Sequence, residues 1–281
     1  MNYIIGPCAL ESESLFFGEA KILNKIFENE NWIYKASFDK ANRTSIKGGR
    51  GVGLEESVRL FGELKKEIPS IRLTTDVHEC WQVEKLAEVV DCIQIPAFLC
   101  RQTDLLVECA RHFKVVNVKK GQWLGPENAC KSVDKIKNTN PSCEAWLTER
   151  GSNFGYNEMT VNFRHVETYK QNYDKVIFDV THSTQYLDGF SAGGGDRQLA
   201  EKYFYTASIF GYDGIFAETH PNPPDAISDG QSQIYLDRIE GILKKQKDIQ
   251  DCVKQHSPIS NTFSTGSYED HLNKIKNDAK I

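Results

Sequence analysis

WIYKASFDKANRTSIKGGRGVGLEESVRLFGELKKEIP, residues 32–69, holds one complete structural unit and decides how the rest of the chain is read. Trp32-Ile33-Tyr34 is a short apolar segment of strand type. From Leu54 onward, Leu54, Val58, Leu60, Phe61 and Leu64 recur at helical spacing, and Pro69 marks the end. The loop between them carries Lys35, Lys40, Arg43, Lys47 and Arg50 together with four glycines. Arginine presents a planar fork of donors, lysine a compact charge, and glycine lets backbone N–H groups approach a ligand, so this is the composition of an anion site. Taken alone, the same loop could be a solvated basic turn.

The alternation seen in this unit recurs along the chain. Strands are predicted over 2–5, 32–35, 71–74, 92–95, 115–118, 144–147, 176–179 and 214–217. Helical patterns follow each, over about 12–28, 54–67, 81–89, 101–112, 127–138, 163–172, 197–210 and 234–249. Strands separated by helices lie parallel, because each needs a crossover, and eight such units predict an α/β protein built as a single-domain (β/α)8 TIM barrel over 1–256. An open doubly wound sheet is the alternative, and no GxGxxG turn follows the first strand to support it. Residues 257–281 are polar and weakly periodic, which predicts a flexible or loosely docked C-terminal tail.

Composition narrows the partners. With 281 residues and a formal charge of −5, the chain as a whole is a poor binder of nucleic acid or anionic membrane. A cationic loop in an acidic chain therefore points to a small anionic ligand. The longest apolar runs fall far short of a bilayer span, and the start enters a strand with no basic segment or long apolar stretch, so a cytoplasmic protein is expected. Eight cysteines without CxxC spacing, in a chain of this size, are expected to be reduced and mostly buried.

A barrel gathers functional groups at the carboxyl ends of its strands. The residues just past the predicted strands are Cys8, Lys35 with Ser37, Asp76 with His78, Gln94, Lys119, Arg150, Asp179 with His182, and Glu218. Each has an ordinary explanation by itself: a buried thiol, a loop histidine, a solvated Lys119-Lys120 pair. Their coincidence at eight strand ends carries the functional reading. Lys35, Lys40, Arg43, Lys119 and Arg150 would neutralise a ligand with two or more phosphates or carboxylates, and as unpaired cations they would repel one another unless an anion were bound. Cys8, His182 and Glu218, with Asp229 from the loop after the eighth strand, suit a divalent transition metal. Spacing gives this second group only weak support, since no two of its members share a short motif.

Longer matches sharpen the reading. Gly6-Pro7-Cys8 with Glu11-Ser12, KASFDKANR at 35–43, TTDVHE at 74–79, IQIPAFLCRQTDLL at 93–106, NVKKGQ at 117–122, TERG at 148–151, NFGY at 153–156, FDVTHS at 178–183 and ETHP at 218–221 resemble the family of 3-deoxy-D-manno-octulosonate 8-phosphate and 3-deoxy-heptulosonate 7-phosphate synthases. The octulosonate branch is the better match. The resemblance implies a barrel enzyme that condenses phosphoenolpyruvate with D-arabinose 5-phosphate and water and releases phosphate. It implies that Lys35, Ser37, Gln94, Lys119 and Arg150 hold phosphoenolpyruvate. Lys40, Asn42, Arg43 and Thr44 would hold the sugar phosphate, with Asp76 nearby and Arg101 reaching a neighbouring subunit of a homotetramer. Cys8 matches the metal-dependent branch, which implies a Zn, Fe, Mn or Co ion on Cys8, His182, Glu218 and Asp229. Lys35 and Lys119 would serve catalysis with Cys8, His182 and Asp229.

The chain departs from the family in three places. Thr44 replaces a more usual Ser, Lys47-Gly48-Gly49 replaces a His-Ser-aromatic run, and the short lead into the first strand implies little or no plug over the barrel floor. Two other readings stand beside the main one: a heptulosonate synthase using erythrose 4-phosphate, and a catalytically silent barrel that binds phosphosugar or metal.

Overall fold

A computed structural model of the chain describes residues 1–43, 46–154, 156–186 and 194–256. The eight strands are β1 (Asn2–Gly6), β2 (Asn31–Lys35), β3 (Leu73–Asp76), β4 (Cys92–Ile95), β5 (Val115–Lys119), β6 (Glu144–Glu149), β7 (Lys175–Asp179) and β8 (Gly214–His220). Each pairs in parallel with the next, and β8 pairs back onto β1 with Asn2 opposite Gly214 and Gly6 opposite Glu218, so the sheet closes into the expected barrel. A Cβ at Gly214 would lie 2.7 Å from the Asn2 carbonyl oxygen and 2.6 Å from Ile177 Cδ1, so only glycine fits this seam.

Helices α1 (Glu13–Ile26), α2 (Leu54–Glu67), α3 (Val83–Ala87), α4 (Thr103–His112), α5 (Pro126–Ala129), α6 (Lys131–Thr139), α7 (His165–Lys170), α8 (Arg197–Ile209) and α9 (Ile239–Gln255) fill the crossovers. Local chemistry sets their ends. Ser12 Oγ accepts from the Leu15 N–H at the start of α1, and α2 opens with Glu55 and Glu56 and closes with Lys65 and Lys66, charges that suit its macrodipole. Several boundaries differ from expectation, three of them by displacement or rearrangement of the element rather than by a few end residues. β3 lies two residues later than predicted. The helix expected over 127–138 is divided at Cys130. The last helix begins at Ile239, because Ile234–Tyr235 pairs with the end of β8 and Leu236–Arg238 forms a 3-10 turn first.

Two apolar layers hold the barrel. Between strands and helices, Tyr3, Ile5, Phe16, Phe27, Tyr34 and Phe61 belong to one large core; inside the barrel, Ile4, Ile33, Cys92, Trp146, Ile177 and Phe216 form a separate plug. Each large side chain removed from water contributes about 1.5–3 kcal/mol. The pleat then does the positioning. Residues two apart share a face, so Lys35, Gln94, Asp179 and Glu218 stand one step above Ile33, Cys92, Ile177 and Phe216.

All eight cysteines are free and six are buried, with Cys80 and Cys252 exposed. Among the described residues no helix is long and apolar enough to cross a membrane. Thr44 and the predicted tail at 257–281 lie outside the described residues.

Candidate active site

The plug ends at Phe216, and the first polar groups rest on it. Lys119 Nζ lies 3.1 Å from the centre of the Phe216 ring and 2.5 Å from Asp179 Oδ2. Lys35, 1% exposed, donates to Glu218 Oε1 at 2.6 Å and to the Cys8 carbonyl at 2.7 Å. These pairings correct the expectation of unpaired, mutually repelling cations. Carboxylates from β7 and β8 already compensate the two lysines, so the cluster is electrostatically tenable without a bound anion.

The titrations reflect this balance. Burial pulls Lys119 down to about 8, against the opposing pull of Asp179. Burial would raise Asp76, yet Lys40 and Lys35 hold it down at about 2. Glu218 is likewise kept low despite burial by Lys35, His182 and Lys40.

A second group of bonds joins β2, β3 and β4. Ser37 Oγ donates to Asp76 Oδ2 at 3.0 Å, Lys40 Nζ donates to Ser37 Oγ at 3.0 Å, and Gln94 Nε2 donates to Asp76 Oδ1 at 2.7 Å. Arg150, buried at the end of β6, donates through Nη2 to Gln185 Oε1 at 2.7 Å. Several atoms here are left without partners: among the described residues, Gln94 Oε1, Arg150 Nη1 and Glu218 Oε2 are buried with no hydrogen bond. Such groups are costly unless something supplies the missing partner, and a polar ligand would do so.

The remaining group surrounds Glu218. One ligand atom from each of Cys8, Glu218 and Asp229 can be chosen so that all lie within 4.8 Å of one another. Cys8 Sγ donates to Asp229 Oδ2 at 3.2 Å. Burial and the nearby Glu218 carboxylate push the Cys8 thiol up. Asp229 takes a left-handed backbone, φ 53°, unusual outside glycine. His182 stands at the rim: its Nε2 is 3.8 Å from Glu218 Oε1, and its Nδ1 is 2.8 Å from Asp179 Oδ2. That second contact leaves Nε2 facing the carboxylate, the usual arrangement behind a metal-binding imidazole.

The sugar-phosphate candidates are less concentrated. Arg43 reaches the loop after β8, donating to Ser228 Oγ at 2.5 Å and to the Ile227 carbonyl at 3.2 Å. Ser228 in turn donates to Asp229 Oδ2 at 2.6 Å. A cleft of about 750 Å³, lined by Arg43, Tyr186, Arg197, Ser228 and Asp229, opens on this side. Asn42 and Arg101 are exposed, and the structure does not bring them into the cluster.

Three contributors were not given roles from the sequence. Asp179 serves both Lys119 and His182, Gln185 bridges Arg150 to Asp229 Oδ1 at 2.8 Å, and Ser228 links Arg43 to Asp229. Only Asp179 left a signal, as a strand-end residue.

The model of the DAHP synthetase I family matches residues 1–255. A protein of Fusobacterium nucleatum named 2-dehydro-3-deoxyphosphooctonate aldolase is 45% identical over 258 residues, covering 89% of this chain and 91% of the relative. Relatives with the same name occur in Wolinella succinogenes, 44% identical with 83% and 93% covered, and in Helicobacter hepaticus, 40% identical with 91% and 98% covered.

Proposed function

The chain belongs to the DAHP synthetase I family, and from that membership and the site we propose its reaction: phosphoenolpyruvate, D-arabinose 5-phosphate and water are joined into 3-deoxy-D-manno-octulosonate 8-phosphate, with release of inorganic phosphate. It is an enzyme of carbon–carbon bond formation. The octonate names of its relatives favour this product over the seven-carbon one.

The reaction joins C3 of phosphoenolpyruvate to the sugar aldehyde carbon, adds water oxygen at C2, and breaks the C2–O bond so that phosphate leaves. The enol is a weak nucleophile, so the site must gather charge around it. Lys35, Lys119 and Arg150 receive the carboxylate and the phosphate, with Ser37 and Gln94 beside them. Arg150 Nη1 and Gln94 Oε1 supply open, buried hydrogen-bonding positions for that ligand. Lys40 and Arg43 take the sugar phosphate, Lys40 from beside Ser37 and Asp76.

The residues also fit a divalent metal. A thiol, a carboxylate with an unpartnered buried oxygen, a second carboxylate on a strained backbone and an imidazole turned by Asp179 form a mixed donor set suited to Zn, Fe, Mn or Co. When bound, such an ion supplies Lewis acidity to a carbonyl oxygen or lowers the pKa of a water. Cys8, His182, Glu218 and Asp229 are then ligands, and proton transfer falls to other groups.

The enzyme acts in the cytoplasm as a homotetramer, with Arg101 reaching a neighbour's site. Arg101 is exposed, and three residues before it Phe98 stacks on Trp123 at 6.0 Å, both rings exposed. Sedimentation velocity that finds only monomer at micromolar concentration would remove this part of the reading.

The observation that carries the proposal is the adjacency of the Cys8–Glu218–Asp229 triangle to buried cations, with Lys35 touching both. Metal-loaded protein mixed with phosphoenolpyruvate and either arabinose 5-phosphate or erythrose 4-phosphate should release phosphate with the pentose. Preference for the tetrose would make it a heptulosonate synthase, and silence with both would make it a binding barrel.

A further inference from the structure

Lys120 looks from the sequence like half of a solvated lysine pair, but it is 1% exposed. Its Nζ donates to the Gly151 carbonyl and to Ser152 Oγ, both at 3.0 Å, and lies 3.4 Å from Glu149 Oε1. Glu149 is also buried. Its Oε1 accepts from the Gly151 N–H at 2.6 Å and its Oε2 from the Tyr169 hydroxyl at 2.8 Å. Both backbone polar groups of Gly151 are therefore held by charged side chains, one from the end of β6 and one from just past β5.

Gly151 is itself a constrained position. Its φ is +87°, a conformation that disfavours other residues, and a Cβ there would stand 3.2 Å from Met159 Cβ. Arg150 is the residue immediately before it, buried, with Nη1 unpartnered. A buried ion pair is a poor stability device, since apolar side chains of the same volume often serve as well or better. It does fix geometry, and the backbone it fixes here is the one from which the Arg150 guanidinium projects.

We propose that Lys120, Glu149 and Tyr169 are positioning residues that hold Arg150 in the orientation that receives phosphoenolpyruvate. None of the three is placed in contact with substrate. The inference rests on the reading of Arg150 given above, and the test separates the two.

Tyr169→Phe removes one hydroxyl at the outer end of the network, on α7. It should lower kcat/KM for phosphoenolpyruvate about fivefold with the arabinose 5-phosphate KM little changed, because a misplaced donor costs binding of one ligand only, and it should lower the melting temperature modestly, because Glu149 Oε2 loses its buried donor. Glu149→Gln, which keeps an acceptor for Gly151 but removes the charge facing Lys120, should give the same selective loss.

The decisive measurement is the cycle with Arg150→Lys. If Tyr169 acts through Arg150, the double variant is no worse toward phosphoenolpyruvate than Arg150→Lys alone. Additive losses, or unaltered phosphoenolpyruvate kinetics in Tyr169→Phe, overturn the positioning role while leaving Arg150 in place. An Arg150→Lys enzyme with unaltered phosphoenolpyruvate kinetics removes Arg150 from the site, and the role of its three supports falls with it.

Discussion

Lys119 shows how much one buried charge depends on its neighbours. Burial lowers it to about 8, while Asp179 at 2.5 Å and the face of Phe216 favour the ammonium form. A lysine with a lowered pKa is charged below that value and neutral above it, so the phosphoenolpyruvate KM should climb as the pH is raised through about 8. Lys119→Arg, charged throughout, should flatten that limb; steady-state kinetics from pH 6.5 to 9.5 on both proteins decide it. Arg43 is proposed for the other substrate. Arg43→Ala should raise the arabinose 5-phosphate KM about tenfold or more, the scale of a lost charge-assisted hydrogen bond, and an unchanged KM would remove it from that site. At this scale the sequence was informative wherever the period of two held. Lys35, Gln94, Asp179 and Glu218 each follow an inward apolar residue by two positions, so strand ends alone located them. Gln185 and Ser228 lie on loops with no period, and only the folded chain shows that they bridge Arg150 and Arg43 to Asp229.

Helix α1 carries a polar residue into the core. Glu19, 1% exposed, accepts from Thr219 Oγ1 at the end of β8, and burial raises its carboxyl from 4.5 to about 8. A carboxyl raised on folding contributes stability that is fully present below about 4.5 and is lost as the pH climbs through about 8, because the unfolded chain releases its proton first. Relative to wild type, Glu19→Gln should therefore gain stability between pH 5 and pH 9, by an amount on the order of a few kcal/mol. Urea denaturation of both proteins at the two pH values measures it, and a pH-independent difference would mean Glu19 is ionised in place. The helices also show where pattern reading loses precision. Apolar spacing over 234–249 fits a helix, but Ile234 and Tyr235 gain more by extending the sheet against Thr219 and His220, a long-range pairing that periodicity cannot register.

For the whole molecule, the main result is convergence from remote positions. Cys8 comes from β1, His182 from beyond β7, Glu218 from β8 and Asp229 from the loop after it, and no local motif joins them. Closure of the barrel alone makes them neighbours. Because the apolar plug and outer core do not involve these groups, removing a bound ion should leave the fold intact. Dialysis against a strong chelator, or Cys8→Ala, should abolish phosphate release with the far-ultraviolet circular dichroism unchanged, and a divalent ion should restore the dialysed wild type. Full turnover in excess chelator would refute a metal role. The seam that completes the ring has a cost during biosynthesis. β1 leaves the ribosome well before its partner on one side, β8. Between the synthesis of the two strands the nascent chain therefore presents an uncovered strand edge, open to pairing with the same edge on another copy, and aggregation competes with ring closure until Gly214–His220 arrives.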